Sequence, residues 1–257
     1  MNEFHVLIPA RLDSTRLAQK ALADVAGRPL IVRVWERAVA AAADSVHVAT
    51  DSEAIADAVR GAGGRVVMTG AEHVSGTSRV AEAAATLAMD PASIVVNLQG
   101  DEPAVPVACI RQLVDLMAGD AAADMATLWT ALDDREQWSD PNVVKIIVDH
   151  AGRALYFSRA PVPASRSGSW PGDEARRHVG LYAFRAGALA DWPRLPPSPL
   201  AELEALEQLA PLQAGWRIRC ARAVEPVPPG VDTADDLVAM RQRFSSERLT
   251  STFGEAG

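Results

Sequence analysis

The sequence predicts an α/β fold in which a mainly parallel sheet carries helices on both faces. Short apolar segments typical of buried parallel strands alternate with longer segments of helical periodicity in the first half of the chain. The connections between them are short, as in β-α-β units. With 257 residues, 49% of them hydrophobic and 23% charged, the chain is long enough to bury a substantial core.

Four strands and four helices are predicted before residue 120. The first helix has Pro29 in its first turn, and the second is followed by Gly63 and Gly64, which favour a helix end. The strands are expected at 4–8, 46–49, 65–68 and 94–98. The helices are expected at 29–43, 53–62, 77–88 and 106–117.

After residue 120 the pattern changes to closely spaced strands, which indicates antiparallel additions to the sheet and a smaller β-rich lobe. These strands are expected at 125–132, 143–148, 154–157, 179–184 and 218–223. Leucines at every third position predict one helix over 199–212, and another is expected over 233–244. We expect a single domain over 1–257, divided into a core at 1–120, the β-rich lobe at 121–190, a return to the core at 191–244 and a frayed tail at 245–257.

Charge and composition exclude several classes of function. A net charge of −8 and an isoelectric point near 5.2 argue against nucleic-acid binding, which needs a basic surface. The sequence starts without the basic leader and apolar segment of a signal peptide, and no apolar run approaches membrane-spanning length. Cys109 and Cys220 are far apart and are expected to be reduced thiols. We therefore expect a cytoplasmic protein with no membrane partner.

The segment after the first strand carries three cations, Arg11, Arg16 and Lys20. Open α/β sheets bind ligands at the carboxyl ends of their strands, and backbone N–H groups of a turn there attract anions. Between Ala10 and Arg37 the sequence has six basic and three acidic residues, a local excess within an acidic protein. This pattern predicts a site for a small anion such as a polyphosphate; a solvated charged surface is the alternative.

Asp101 and Asp232 are candidates for a divalent cation site. Asp101 follows the strand at 94–98, and Gly100 allows a close approach of the backbone there. Asp232 precedes the last helix. Two carboxylates from separate loops can hold Mg²⁺, with water and substrate phosphates at the remaining positions. A turn with a helix cap at Asp101, and an N-cap at Asp232 with Asp235 three residues later, are the simpler alternatives.

Other candidate ligand-binding residues could instead have a purely structural role. Ser75, Gly76 and Thr77 precede a helix, and they either contact a base or sugar or only start that helix. His178 and Tyr182, four residues apart, would share a face of a strand, where most such pairs are structural. The sequence lacks GxSxG, GxxxxGK[ST] and an early GxGxxG, which argues against serine hydrolases, P-loop enzymes and dinucleotide binding.

Seven motifs together resemble the 3-deoxy-manno-octulosonate (KDO) cytidylyltransferase family, the CMP-KDO synthetases. They lie in the right order between residues 4 and 243: IPARLDSTRLAQKAL, VATD, HVSGT, NLQGDEP, ALYFSR, RHVGLY and GVDTADDL. The resemblance implies a Rossmann-like nucleotidyltransferase fold and transfer of CMP from CTP to the anomeric hydroxyl of KDO, for lipopolysaccharide biosynthesis. It further implies Mg²⁺ dependence and a homodimer in which the β-rich lobe binds the sugar and forms the interface.

The resemblance also implies roles for individual residues. The nucleotide-binding set is Ala10, Arg11, Arg16, Lys20, Ser75, Gly76, Thr77, Gln99 and Asp101. The catalytic set within it is Arg11, Arg16, Lys20 and Asp101, and the magnesium ligands are Asp101 and Asp232. The set for the sugar acid is Gln99, Arg159, His178, Tyr182, Glu207 and Gln208, with Arg159 as a partner for the sugar carboxylate.

The chain departs from the family pattern at three positions. Ala18 and Ala21 stand where prolines are usual, which predicts a more flexible first loop, and Ser78 replaces a frequent acidic residue. No chemical group for the reaction is lost. Two other functions remain open: a cytidylyltransferase for another sugar acid, such as 8-amino-KDO or a nonulosonate, and a sensor that binds nucleotide or sugar acid without turnover.

Overall fold

The computed structural model describes residues 3–12 and 17–254, with side chains up to residue 246. Nine strands form one sheet, and nine α-helices pack on it within the described residues. The strands are β1 Phe4–Ala10, β2 Ser45–Thr50, β3 Arg65–Met68, β4 Ile94–Asn97, β5 Met125–Ala131, β6 Lys145–Val148, β7 Ala154–Ser158, β8 Arg176–Arg185 and β9 Ile218–Arg222. The helices are α1 Leu30–Ala40, α2 Glu53–Gly61, α3 Gly76–Thr86, α4 Val107–Ala118, α5 Arg135–Ser139, α6 Ala186–Asp191, α7 Pro199–Glu204, α8 Leu209–Gln213 and α9 Ala234–Gly254.

The sheet is mainly parallel, which confirms the predicted fold class. Its main path runs β3-β2-β1-β4-β8-β5-β9. β8 pairs antiparallel with both β4 and β5, and the remaining neighbours on this path are parallel. The hairpin of β6 and β7 joins the amino-terminal part of β8. The strands of the second half therefore extend the same sheet as the first.

Alternation along β1 divides the core between the two faces of the sheet. Val6 and Ile8 belong to a cluster with residues of α1, α2 and α4. Leu7, between them, points to the opposite cluster, where α3, α6 and α8 pack. All three side chains are fully buried. The helices thus cover both faces, as predicted.

A third, smaller cluster brings the start of α9 against the loops that follow β1 and β4. It consists of Val25, Leu30, Ala104, Val231, Leu237 and Met240. The backbone N–H of Val231 also donates to the carbonyl of Asp101 at 2.8 Å. These contacts place Asp232, which follows Val231, beside Asp101.

The predicted helix over 199–212 is wrong, because the chain forms two short helices there. α7 ends at Glu204, the next residue Ala205 has a left-handed φ of 49°, and α8 begins at Leu209. Leucines spaced by three residues drift ~60° around a helix at each step, so five of them cannot share one face. Leu203 is accordingly 83% exposed, whereas Leu206 and Leu209 are buried.

Other boundaries also differ from the prediction. The short helices α5 and α6 were not predicted, because each spans too few residues to show a clear helical period. α9 continues to Gly254, ten residues beyond the predicted end at Phe244 and into the segment expected to be frayed. Within the described ranges, no helix combines the length and apolar character needed to cross a membrane.

Candidate functional site

An open cleft of about 250 Å³ lies at the carboxyl ends of β1 and β4, where ligand sites of open α/β sheets are found. Its lining comes from the loops after these strands, from the start of α3 and from the loop before α9. The lining residues are Pro9, Ala10, Arg11, Lys20, Ala21, His73, Val74, Ser75, Gly76, Arg79, Gln99, Gly100, Asp101 and Asp232.

The ammonium group of Lys20 joins the two candidate metal carboxylates. Its Nζ lies 2.7 Å from Oδ2 of Asp101 and 3.1 Å from Oδ1 of Asp232. Burial by itself would lower the pKa of Lys20, but the charges and hydrogen bonds of the two aspartates outweigh it and raise the pKa. Lys20 is therefore a cation held between two anions, and the loops that carry these three residues meet at one edge of the sheet.

The backbone around Lys20 is ordered by hydrogen bonds. Lys20–Leu22 forms a 3₁₀ turn in which the N–H of Leu22 donates to Gln19 and that of Ala23 donates to Lys20. Ala21 is buried against the core at this turn. Hydrogen bonds and packing thus hold the position at which the family pattern usually has a proline.

Asp101 reaches the cleft because the chain before it passes very close to β1. A Cβ at Gly100 would lie 2.7 Å from the carbonyl oxygen of Pro9, which is closer than real Cβ atoms come. Only glycine fits there, as the sequence predicted. Beside it, burial and the charge of Asp101 raise the pKa of Glu102 to about 8.

Thr233, and not Asp232, caps the last helix. The hydroxyl of Thr233 accepts from the N–H of Asp236 at 3.2 Å, and the Asp236 carboxylate accepts from the N–H of Thr233 at 2.8 Å. This reciprocal pair is a capping box. The N-cap alternative for Asp232 is therefore wrong, and its carboxylate is turned to Lys20.

Ala10 and Arg11 line the cleft, and Arg16 lies outside the described residues. Some cations counted in the local excess serve the fold instead. Arg33 donates to the carbonyls of Val25 and Ala26, and both Arg28 and Arg33 pair with Glu36. The sequence could not separate these structural arginines from those that face the cleft.

The three residues at the start of α3 have different surroundings. Ser75 is the N-cap and forms a capping box with Ser78, so the helix-start alternative is confirmed for its side chain. Ser75 and Gly76 also line the cleft. Thr77 is fully buried and does not line it; its hydroxyl donates to Glu207 at 2.6 Å.

His73 and Arg79 line the cleft but were not predicted as site residues. Arg79 is held by the carbonyl of Gly70 at 3.0 Å and by Asp51 at 3.2 Å. The ring of His73 contacts Glu82 through Nε2 and Ser78 through Nδ1. His73 is the first residue of the HVSGT motif and Arg79 lies two residues after its end, so the motif was the available signal.

His178 and Tyr182 lie next to each other on β8, with ring centroids 5.5 Å apart, which confirms their shared face. The Nε2 of His178 is 3.0 Å from the hydroxyl of Thr127. Burial, with a contribution from Arg177, lowers the pKa of His178 to about 3, so the imidazole is neutral. Burial also raises the pKa of Tyr182.

Arg159 uses its guanidinium group to hold backbone carbonyls. It donates to the carbonyls of Glu204 at 2.6 Å, Pro141 at 3.0 Å and Ala205 at 3.3 Å, and so secures the end of α7. The predicted contact with a sugar carboxylate remains a prediction. Gln99 lines the cleft, whereas the other proposed sugar-acid residues lie outside its lining. Of these, Gln208 is buried beside Glu207 in the chain.

The cleft holds two carboxylates that could bind a magnesium ion, Asp101 and Asp232. Among the described residues, no group of three or more His, Cys, Asp or Glu side chains forms a complete metal cage. Mg²⁺ typically takes one or two carboxylates and fills its other positions with water and phosphates. Asp101 and Asp232 supply two carboxylates in an open cleft, and because both pair with Lys20, a metal ion held by them would share or displace that ion pair.

Comparison with known proteins assigns the chain to a family. A family model described as cytidylyltransferase matches residues 5–218. A curated relative from Leptothrix cholodnii is 46% identical over 94% of this chain and 91% of its own length. One from Vibrio cholerae is 47% identical over 95% and 98%. Both are named 3-deoxy-manno-octulosonate cytidylyltransferase, and the chain belongs to this family.

Solved structures agree with the assignment. A structure of CMP:2-keto-3-deoxy-manno-octonic acid synthetase complexed with CTP superposes with a TM-score of 0.88 and 38% identity, and the match covers 96% of this chain and all of the other. A cytidylyltransferase from Leptospira borgpetersenii, 16% identical with a TM-score of 0.60, shares the fold over 96% of this chain and 88% of its own.

Proposed function

We propose that this protein transfers CMP from CTP to the anomeric hydroxyl of KDO, releasing pyrophosphate and supplying CMP-KDO for lipopolysaccharide biosynthesis. The observation that carries the proposal is the bridge from Lys20 to Asp101 and Asp232 in a cleft lined by Arg11 and Gln99. The names of the near full-length relatives support this choice of substrates.

Charge neutralisation and positioning supply the catalysis in this proposal. The anomeric oxygen attacks the α-phosphorus, the bond to the bridging oxygen of the β-phosphate breaks, and the hydroxyl proton passes to solvent. Arg11 and Lys20 lie at the carboxyl end of β1, where they neutralise the triphosphate and the departing pyrophosphate. We assign the same role to Arg16. The buried, neutral His178 is suited to hydrogen bonding with a sugar and not to ion pairing.

We also propose that the reaction depends on Mg²⁺ held by Asp101 and Asp232. A bound Mg²⁺ supplies positive charge next to the phosphate under attack and acidifies a hydroxyl group close to it. The two carboxylates come from different loops and meet at the same edge of the sheet, and this arrangement supports the proposal.

A cytoplasmic homodimer is proposed as the working form. Leu155 on β7 is 58% exposed within the segment at 121–190 to which the interface was assigned, and this exposed apolar residue supports that location. Cys109 and Cys220 are both free and buried, as expected for a reducing compartment. Light scattering of the wild type and of Leu155→Asp tests the dimer, which the proposal expects to weaken in the variant.

The test of function is pyrophosphate release from CTP and Mg²⁺ with a panel of 2-keto sugar acids. We expect the fastest release with KDO. A higher kcat/KM for 8-amino-KDO or a nonulosonate would reassign the acceptor. Tight CTP binding without release from any acceptor would instead establish a sensor. Omission of Mg²⁺ tests the metal proposal in the same assay.

A further inference from the structure

A line of hydrogen bonds connects the nucleotide cleft with Glu207, a residue assigned to the sugar acid. Gln99, in the cleft, donates from Nε2 to Oδ1 of Asn97 at 3.4 Å. Asn97 donates from Nδ2 to the hydroxyl of Thr77 at 3.1 Å, and this hydroxyl donates to Oε1 of Glu207 at 2.6 Å. Four side chains from β4, the loop after it, α3 and the α7–α8 connection thus form one polar chain.

The direction of these bonds is fixed by the chemistry of the groups. An amide NH₂ only donates and an ionised carboxylate only accepts. A threonine hydroxyl has a single hydrogen, so Thr77 accepts from Asn97 and gives its hydrogen to Glu207. Both Thr77 and Asn97 are 0% exposed, so bulk water does not substitute for either partner.

The two oxygens of Glu207 differ in their surroundings. Oε1 receives the hydrogen from Thr77, whereas Oε2 is buried and no described residue donates to it with good hydrogen-bond geometry, although the Ser75 hydroxyl and the Thr77 N–H lie close enough to stabilise the charge of the carboxylate. An unsatisfied buried acceptor is costly, and such atoms in native proteins call for an explanation. A ligand hydroxyl that donates to Oε2 would satisfy it.

We propose that Thr77 and Asn97 are positioning residues that fix Glu207 so that Oε2 accepts a hydroxyl hydrogen of the sugar acid. This inference rests on the proposed function and on Glu207 being part of the sugar-acid site. It moves Thr77 from the nucleotide site, where the family resemblance put it, to the support of the acceptor site.

The charge on Glu207 gives the proposal an independent readout. Burial raises the pKa of Glu207, and the hydroxyls of Thr77 and Ser75 oppose this rise. The titratable group that faces it from β8 is the phenol of Tyr182, whose pKa is raised by burial and by the charge of Glu207. Removing the Thr77 hydroxyl therefore shifts the acid limb of kcat/KM for KDO to higher pH.

The experiment compares Thr77→Val, which is nearly isosteric but lacks the hydroxyl, with Thr77→Ser, which keeps it. Thr77→Val is expected to raise KM for KDO about tenfold or more, as for a lost hydrogen bond to a charged group, with KM for CTP within about twofold. Thr77→Ser is expected to restore most of the loss and the pH profile. Thr86→Val is the matched control, because Thr86 is exposed near the end of α3.

A double-mutant cycle with Glu207→Gln then tests the pairing itself. Thr77→Val should have little further effect on KM for KDO once the carboxylate is absent. Full additivity, or a change confined to KM for CTP, overturns the inference.

If Thr77→Val does not fold, a second variant replaces it. Asn97→Asp offers the Thr77 hydroxyl a competing carboxylate and is expected to raise KM for KDO, and an unchanged KM overturns the inference. A wild type inactive with CTP and KDO overturns the proposed function as well, so the two failures differ.

Discussion

Nζ of Lys20 lies 2.7 Å from Oδ2 of Asp101, although 81 positions separate the two residues in the chain. The contact joins the loop after β1 to the loop after β4, and these strands are parallel neighbours in the sheet. Because the aspartates raise the pKa of Lys20, the ammonium group stays charged throughout the neutral range. The same two loops line the cleft, so the ion pair belongs to the site as well as to the fold.

Lys20→Ala is expected to reduce turnover by at least ~100-fold, because a preorganised charge next to the triphosphate is lost. Pyrophosphate release measures the effect, and circular dichroism checks that the fold is intact. Arg60→Ala is a suitable control, since Arg60 forms exposed ion pairs on α2. Near-normal turnover in Lys20→Ala would remove this residue from the catalytic set.

Asp232→Asn is expected to abolish most turnover and to weaken the dependence of activity on Mg²⁺, because one of the two carboxylates loses its charge. Asp235→Asn makes the same chemical change at an exposed position three residues away and should retain activity. Thr233→Ala should cost about 1 kcal/mol of stability through the lost helix cap while sparing the chemistry. Equal activity losses in Asp232→Asn and Asp235→Asn would contradict a specific role.

Gly100→Ala is expected to destabilise the fold by ~1–3 kcal/mol, because the new Cβ would lie 2.7 Å from a backbone oxygen of Pro9 and one strand end must move. CTP affinity should fall with it, as the displaced loop carries Asp101. Chemical denaturation and CTP titration measure the two effects. A Cβ added at Gly61 would meet no other part of the protein within 4 Å. Gly61→Ala should therefore leave CTP affinity unchanged and leave stability unchanged or slightly raised.

His178 predicts a loss of stability in mild acid. Its pKa is about 3 in the folded protein and 6.5 ordinarily, so between these values the unfolded chain binds more protons. Stability is therefore fully present above pH 6.5 and falls as the pH drops towards 3. The loss between pH 7 and pH 5 should be ~2 kcal/mol.

The variant His178→Gln should flatten that part of the pH profile of Tm, even if its Tm at pH 7 is lower. His150→Gln, at an exposed turn residue, should follow the wild-type profile. A wild-type Tm that does not change between pH 5 and pH 7 would show that His178 does not titrate as the buried structure requires.

The sequence was informative where residue type and strand position act together. The cations after the first strand and Asp101 after the strand at 94–98 predicted a charged site at one sheet edge, because the ends of parallel strands meet there. Asp232 was added to this site as a second carboxylate for a metal ion. Only two of the 25 basic residues are lysines, Lys20 and Lys145. The second of the two lysines, Lys145, is fully buried, and its ammonium donates to the carbonyls of Asp140, Val143 and Arg159. The compact ammonium group of lysine has three N–H donors, one for each of these three carbonyl oxygens.

Other features could not be predicted because they depend on tertiary contacts that a sequence pattern does not show. Arg159 is visible as a cation, but the backbone carbonyls that it holds carry no residue identity. The burial of Thr77 depends on how α3 meets β4 and the α7–α8 connection. The leucine pattern at 200–212 misled because a period of three approximates the helical period over one turn and departs from it over several.

The register between β4 and β8 has a consequence for how the two substrates meet. Asn97, in the polar chain from the nucleotide cleft, is the cross-strand neighbour of Tyr182, which is assigned to the sugar acid. Backbone hydrogen bonds of the central sheet thus set the separation of Asn97 and Tyr182 when the protein folds. Under the proposed function, the distance between the two substrates is therefore set by strand register and not by closure of a loop.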